Sequence, residues 1–312
     1  MKTRAFKQVD VFTATPYLGN PLAVVLDGTG LSTEEMQHFA HWTNLSETTF
    51  LLPPTEQGRA GGADYRVRIF TPGAELPFAG HPTLGSCHAW LQAGGVPQAS
   101  DMTVQECAVG LVKIRRDATR LAFAAPELKR SKPSPALLAQ VTQALGIKPS
   151  QILAAQLLDN GPLWLGLLLD SADTVLQLSP DHLALKNSGQ KVGVAAVNRA
   201  QAAPLLIARS NREARATGAH ASRLADDSAT EPALEVRAFA APVGVDEDPV
   251  TGSLHASLAQ WLIADGHLPA RYIASQGCCL GRAGLVHIEQ DASGQVWVGG
   301  NSVTCIEGSV RL

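Results

Sequence analysis

Apolar and polar residues alternate from Phe6 to Phe12, a turn runs from Pro16 to Pro21, and a short apolar run covers Leu22 to Leu26. The alternation predicts a half-buried strand and the run a more deeply buried one. Ser32 and Thr33 stand at a cap position ahead of two acids, predicting a helix from about Glu34 to Trp42. Further strands are predicted at Thr48–Leu52, Tyr65–Phe70, Asp101–Glu106 and Leu111–Arg115. A second helix fits Pro82 to Ala93, closed by Gly94-Gly95. The first part is therefore many short strands around one substantial helix.

The second part repeats this plan. Pro21-Leu22 opens an apolar strand ending at Asp27, and Pro162-Leu163 opens one ending at Asp170. Leu31-Ser32 precedes Glu34, as Leu178-Ser179 precedes Asp181. Glu75-x-Pro77-x-x-Gly80 leads into a helix reaching about Leu91, and Glu247-x-Pro249-x-x-Gly252 into one reaching about Ile263. Three landmarks in one order mark an internal repeat. Charge and proline rise between Arg116 and Ser134, so the halves are expected at 1–120 and 121–301, with a final strand, 302–312, crossing back to the first. Arg209 to Pro232 reads as an exposed loop or short helix.

Composition narrows the classes. At 312 residues the chain has length for about two domains. Its net charge of −3 argues against binding nucleic acid or an anionic membrane by bulk electrostatics. No apolar run approaches the ~20 residues of a membrane span, and Gln8 and Asp10 interrupt any signal-peptide core. The five cysteines, two of them adjacent and none in a C-x-x-C pair, suggest neither a disulfide framework nor a zinc site. A cytoplasmic protein without a metal is expected. His38, His41 and His88 read as surface or core histidines.

Both repeats place glycine where a helix begins, in Ala79-Gly80-His81-Pro82-Thr83 and Thr251-Gly252-Ser253-Leu254-His255. Free N–H groups and the positive end of the helix dipole make such starts natural anion sites. Two brought together would hold one small carboxylate. His81, Asp248, Ser253 and His255 are acid–base candidates around them, and Glu47 heads a strand where a cleft would raise its proton affinity. The blander readings are that glycine and serine only turn and cap the chain, that Glu47 is an exposed strand-end acid, and that Asp246, Glu247 and Asp248 form a solvated turn.

These segments resemble the PhzF family of phenazine-biosynthesis isomerase-like proteins. The resemblance rests on Val11-Phe12-Thr13, Gly19-Asn20-Pro21-Leu22, Leu45-Ser46-Glu47-Thr48, Arg68-Ile69-Phe70 and Glu75 to Gly85, then on Arg237-x-Phe239, Glu247 to Ser253, Gln276-Gly277 and Gly281-Arg282. It implies an α+β fold of two pseudo-symmetric diaminopimelate epimerase-like domains. Each is a curled sheet around a central helix, with the active cleft between them. It also implies a cofactor-independent proton shift and a homodimer. Carried over residue by residue, Glu47 is the acid/base, and Gly80, His81, Asp248 and Ser253 line and polarise the site. Pro82, Thr83, Thr251 and Gly252 complete the two starts.

The amino-acid epimerases of that fold use a cysteine thiolate at each helix start, where this chain has Ala79 and Thr251. A single carboxylate can instead take a proton from one carbon and return it to another. The expected function is isomerisation of a small carboxylate, such as the cyclic hydroxy-amino acid dihydro-hydroxyanthranilate, with Glu47, Asp248 and His81 as catalytic residues. A non-catalytic carboxylate-binding protein and an epimerase using Glu47 with Asp248 are the alternatives. Leu254, larger than is common in the family, is expected to narrow the pocket.

Overall fold

The alternating segments of the first part pair into one sheet that wraps a helix, and those of the second part do the same. The computed structural model describes residues 1–117, 119–198 and 231–312, so the segment from Arg209 lies outside the described residues up to position 230. The first half comprises β1 (Thr3–Val11), β2 (Asn20–Val25), α1 (Thr33–Thr43), β3 (Glu47–Leu52), α2 (Glu56–Ala60) and β4 (Tyr65–Phe70). It continues through β5 (Glu75–Leu76), α3 (Gly80–Gln92), β6 (Met102–Cys107), β7 (Gly110–Arg116) and β8 (Leu121–Ala124). The second runs β9 (Lys129–Ser131), α4 (Pro135–Leu145), β10 (Ile152–Asp159), β11 (Leu163–Leu169), α5 (Ala172–Leu176), α6 (His182–Ser188) and β12 (Lys191–Val197). Then come β13 (Leu234–Ala240), β14 (Val245–Asp248), α7 (Gly252–Ala264), β15 (Arg271–Gln276), β16 (Gly284–Gln290), β17 (Val296–Gly300) and β18 (Ser302–Arg311).

Pairing follows the repeat strand for strand. β2 runs parallel to β3 and β4 parallel to β6. In the second half β11 runs parallel to β12, and β13 to β15. The other ladders are antiparallel, and β8 meets β17 at the junction of the two halves. The strand after each junction strand joins the half opposite to that junction strand's: β9, following β8 of the first half, pairs with β10 of the second, and β18, following β17 of the second, pairs with β1 of the first. This exchange explains why β1 starts three residues before the alternation at Phe6, since Thr3 to Ala5 lie opposite Arg311 to Ser309.

The repeated motifs have a mechanical role. Arg68 on β4 grips Glu75 on β5 through two bonds of 2.7 Å, and Arg237 on β13 grips Glu247 on β14 at 2.9 and 2.8 Å. Each guanidinium also lies over the next outward ring of its strand, Phe70 or Phe239, both 5.1 Å away. These bidentate clamps hold the short strand whose following turn delivers the glycine. The helix starts thereby meet: α3 packs on β1, β2, β3 and β8, α7 on β10, β16 and β17, and the two helices touch. One apolar core, from Val9 and Leu84 to Leu258 and Val298, runs continuously around both.

The contact is backbone on backbone. A Cβ added to Gly80 would lie 2.8 Å from the Gly252 Cα, and one added to Gly252 would lie 3.0 Å from the Gly80 Cα. The Gly252 backbone cannot swing aside as a side chain can, and the fully buried Phe123 ring, 2.9 Å from the Cβ added to Gly80, closes the same space, so the helices themselves would have to separate. Gly80→Ala is expected to cost about 1–3 kcal/mol as overpacking, despite alanine's better helix propensity. Gly308→Ala on β18, where nothing lies within 4 Å, should stay within about 0.5 kcal/mol. Urea unfolding of both variants tests the contrast.

Candidate active site

The helices of this chain start in two different ways. Ser32, Thr55, Ser134, Ser171 and Asp181 each cap a helix by accepting a first-turn N–H. The starts of α3 and α7, at Ala79 and Thr251, have no side-chain cap. First-turn N–H groups have no partner within their own helix. Two uncapped starts in contact therefore concentrate unmet donors and positive dipole ends at one point between the halves, as an anion site requires.

Acids gather beside this point. Strand alternation sends Glu247 to Arg237 and its neighbour Asp248 the opposite way, while Asp246 is exposed, so the three do not form a solvated turn. Asp248 Oδ1 accepts from Asn20 Nδ2 at 2.9 Å, and its Oδ2 from Thr251 Oγ1 at 2.6 Å. Asn20 Nδ2 also donates to the Val250 carbonyl at 2.9 Å and lies 3.4 Å from His81 Nδ1. His81 Nε2 lies 3.3 Å from Glu47 Oε2, each atom buried and without an aligned hydrogen bond. Glu47, Asp248, His81, Gly80, Thr251, Gly252 and Ser253 are thus brought to one place.

Burial sets their protonation. Desolvation, followed by the negative charge of Asp248, pushes the Glu47 carboxyl up to about 8, against the opposing pull of the Ser46 hydroxyl and the Lys191 ammonium. Burial also raises Asp248, to about 6, held down by the donors Thr251 and Asn20. His81, brought to about 3 by burial, is neutral. With Nδ1 turned to the Asn20 amide, its proton is assigned to Nε2, facing Glu47. Near neutral pH the pair holds an ionised Asp248 and a protonated, strongly basic Glu47, the separation of roles by environment that acid–base catalysis needs.

Other expected residues are tied into the surrounding fold. The Thr83 hydroxyl donates to the Ala79 carbonyl at 2.9 Å and accepts from Gln105 at 3.1 Å, so both of its bonds are internal to the first half. Pro82 is buried in the first turn of α3. His255, lowered to about 4 by burial, is a strut: its Nε2 lies 2.9 Å from Gln276 Oε1. Leu254 does not narrow the cleft. It is fully buried against β12, where a Cβ on Gly193 would collide with its methyl groups. His38 and His41 are exposed on α1, and His88 bonds Thr304 at 3.1 Å. Cys87, its thiol pushed up to about 12 by burial, is no thiolate.

Three contributors carry no role in the sequence reading. Asn20, fully buried, ties β2 to the second half's Asp248 and Val250. It follows a turn in which Phe12 and Tyr17 take the left-handed region, with φ of 67° and 73°, and that turn is fastened to Ala283 and Leu285 of the second half by backbone bonds. Gln276 accepts from Thr251 N at 3.0 Å and donates to the Asp248 carbonyl at 2.8 Å. Lys191 is the third. The Asn20 and Gln276 motifs are visible in the sequence, but only the fold shows that they meet.

The family model described as phenazine biosynthesis-like protein, PhzC-PhzF, matches residues 9–308. The chain is 35% identical to a Schizosaccharomyces pombe protein named Antisense-enhancing sequence 1, covering 99% of each chain. It is 30% identical to trans-2,3-dihydro-3-hydroxyanthranilate isomerase of Pseudomonas fluorescens, covering 97% of this chain and 98% of that one. The crystal structure of a Bacillus anthracis protein of the PhzF family superposes with a TM-score of 0.77 at 20% identity, covering 100% of both chains.

Because the folded chain binds the Glu47 proton more tightly than the unfolded chain does, native stability falls as pH rises from about 4.5 towards about 8. Glu47→Gln keeps the shape of the neutral acid and removes that loss. Denaturant unfolding should show the variant gaining on the order of 5 kcal/mol over the parent at pH 8–9, from ~1.4 kcal/mol per pH unit over that span, and almost nothing near pH 4.5.

Proposed function

Since the chain belongs to the phenazine biosynthesis-like PhzC-PhzF family and is an isomerase, we propose that it moves a proton within a small cyclic carboxylate without a cofactor. The substrate class is a hydroxy-amino acid related to trans-2,3-dihydro-3-hydroxyanthranilate, the compound in the name of its Pseudomonas relatives. The observation that carries this reading is Glu47 Oε2, buried and unpartnered, 3.3 Å from His81 Nε2 and beside an uncapped pair of helix starts.

In this reading the first-turn N–H groups at Gly80 and Gly252 hold the substrate carboxylate. Ionised Glu47 takes a proton from a carbon next to the unsaturated system, so a C–H bond breaks and an O–H bond forms. The electron pair moves into the conjugated system and the double bond shifts. Glu47 then returns the proton to a second carbon and is regenerated. Asp248 accepts from the substrate's amino or hydroxyl group with lone pairs left free by Asn20 and Thr251. His81, a neutral donor at Nε2, faces the charge that develops. Ala79 and Thr251 at the helix starts, with Cys87 held as a thiol, favour this one-base scheme over a two-thiolate epimerisation.

Incubation with trans-2,3-dihydro-3-hydroxyanthranilate in deuterated water, followed by NMR, should show carbon-bound deuterium and a moved double bond. Glu47→Gln should lose 10²–10⁴-fold in rate, and residual turnover above a tenth of the parent's would remove Glu47 from the role. Because the base form of Glu47 is required, kcat/KM should rise about tenfold per pH unit and level off near pH 8. Asp248→Asn removes the like charge beside Glu47 and should move that rise to lower pH.

A further inference from the structure

The strand ladders fix which residue of the second half stands where Glu47 stands in the first. Thr48 lies opposite Phe70, and Val192 lies opposite Phe239. The two phenylalanines are equivalent members of the repeated Arg-x-Phe motif, each under its own guanidinium. Stepping back one residue on each strand makes Lys191 the counterpart of Glu47. The faces agree as well. Thr49, two residues after Glu47, is bonded to Ser86 of α3 at 2.9 Å, and Gly193, two residues after Lys191, lies under Leu254 of α7. Both Glu47 and Lys191 therefore lie on the helix-facing side of their sheets, one pleat beyond a residue that touches the central helix.

The ammonium of Lys191 is held, and among the described residues no carboxylate pairs with it. Its Nζ stands 5.0 Å from the centre of the Trp164 ring, the residue opposite it in the β11–β12 ladder. Trp164 is buried, and its indole N–H donates to Ser253 Oγ, in the first turn of α7, at 3.3 Å. Burial lowers the proton affinity of Lys191 against the opposing pull of Glu47 and Asp159, neither of which reaches ion-pair distance. A cation on an aromatic platform, fastened to the helix start and lacking a carboxylate of its own, is complementary to a carboxylate brought by the ligand.

We infer that Lys191 is a specificity-determining residue that binds the substrate's carboxylate from the second-half wall, opposite Glu47, so that the cleft selects small cyclic anions over their uncharged analogues. This rests on the proton-shift reading only in naming the group that is bound as the substrate's. The pseudo-twofold then carries a base on one wall and an anion-binding cation on the other.

Calorimetric titration of the full chain with anthranilate and with anthranilamide, its uncharged counterpart, tests the inference. The parent should bind anthranilate at least tenfold more tightly than the amide. Lys191→Met, which keeps the stem over Trp164, should weaken anthranilate about 10- to 100-fold, as loss of one charged hydrogen bond does, and leave the amide unchanged. Lys191→Arg should restore anthranilate binding to within a few-fold. Equal binding of acid and amide by the parent, or unchanged anthranilate binding by Lys191→Met, overturns the assignment. Turnover experiments separate the two readings. Lys191-dependent anthranilate binding without any proton exchange would sustain this inference and sink the isomerase mechanism. Exchange that proceeds with an unaltered KM in Lys191→Met would do the reverse.

Discussion

The contact between Gly80 and Gly252 is the constraint on which the rest of the molecule depends. Two helices can meet end to end only where neither carries a side chain, and the meeting point is then made of backbone alone. Every repeated feature serves that meeting. The Arg68–Glu75 and Arg237–Glu247 clamps fix the turns that lead into the glycines, and each sheet curls round its helix so that the starts converge. The exchanged strands β9 and β18 fasten each half to the other. The omission of caps at these two starts has the same cause, since a capping side chain would occupy the space in which the donors are left free.

A symmetric frame cannot by itself perform directional chemistry, and the departures from symmetry are where the chemistry lies. Glu47 faces Lys191 across the pseudo-twofold. Asp248 answers to Leu76, the last residue of β5, and has no acidic counterpart. Asn20, from the first half, grips Asp248, from the second. The result is a polarised cleft in which the two carboxylates have different proton affinities: Asp248 accepts hydrogen bonds from Asn20 and Thr251, whereas at Glu47 burial and the charge of Asp248 outweigh the pull of Ser46 and Lys191. The same low dielectric keeps His81 neutral, so that it donates at Nε2 without adding a positive charge.

Much of this could be read in the chain. The repeat, the two glycine-headed helices and the clustering of Glu47, His81 and Asp248 are written in local patterns: turn chemistry, alternation and matching motifs. What was not legible depends on register or on distant pairing. Lys191 follows a polar turn in the sequence and becomes Glu47's counterpart only when the β12–β13 ladder is counted. Leu254 seemed to face the cleft because it follows Ser253, yet on a helix consecutive residues diverge by about 100°, which turns it into Gly193. Thr83 has the chemistry of a ligand-binding residue, but its hydroxyl is committed to Ala79 and Gln105. In each case the missing information was the direction of the side chain.

An acid–base group of high proton affinity beside an anion-binding point raises an electrostatic difficulty. A substrate carboxylate seated at the helix starts would add a third negative charge to Glu47 and Asp248, raising Glu47 further and making the base form scarcer when it is needed. The two helix dipoles contribute about half a charge each, which offsets one of these three anions. In the proposed arrangement Lys191 offsets a second from the opposite wall. A bound carboxylate and Lys191 then form a neutral pair, so Glu47 stays below the proton affinity it would have beside an unpaired carboxylate. Substrate anchoring and the tuning of the base are thus one electrostatic arrangement, and neither wall of the cleft could provide it alone.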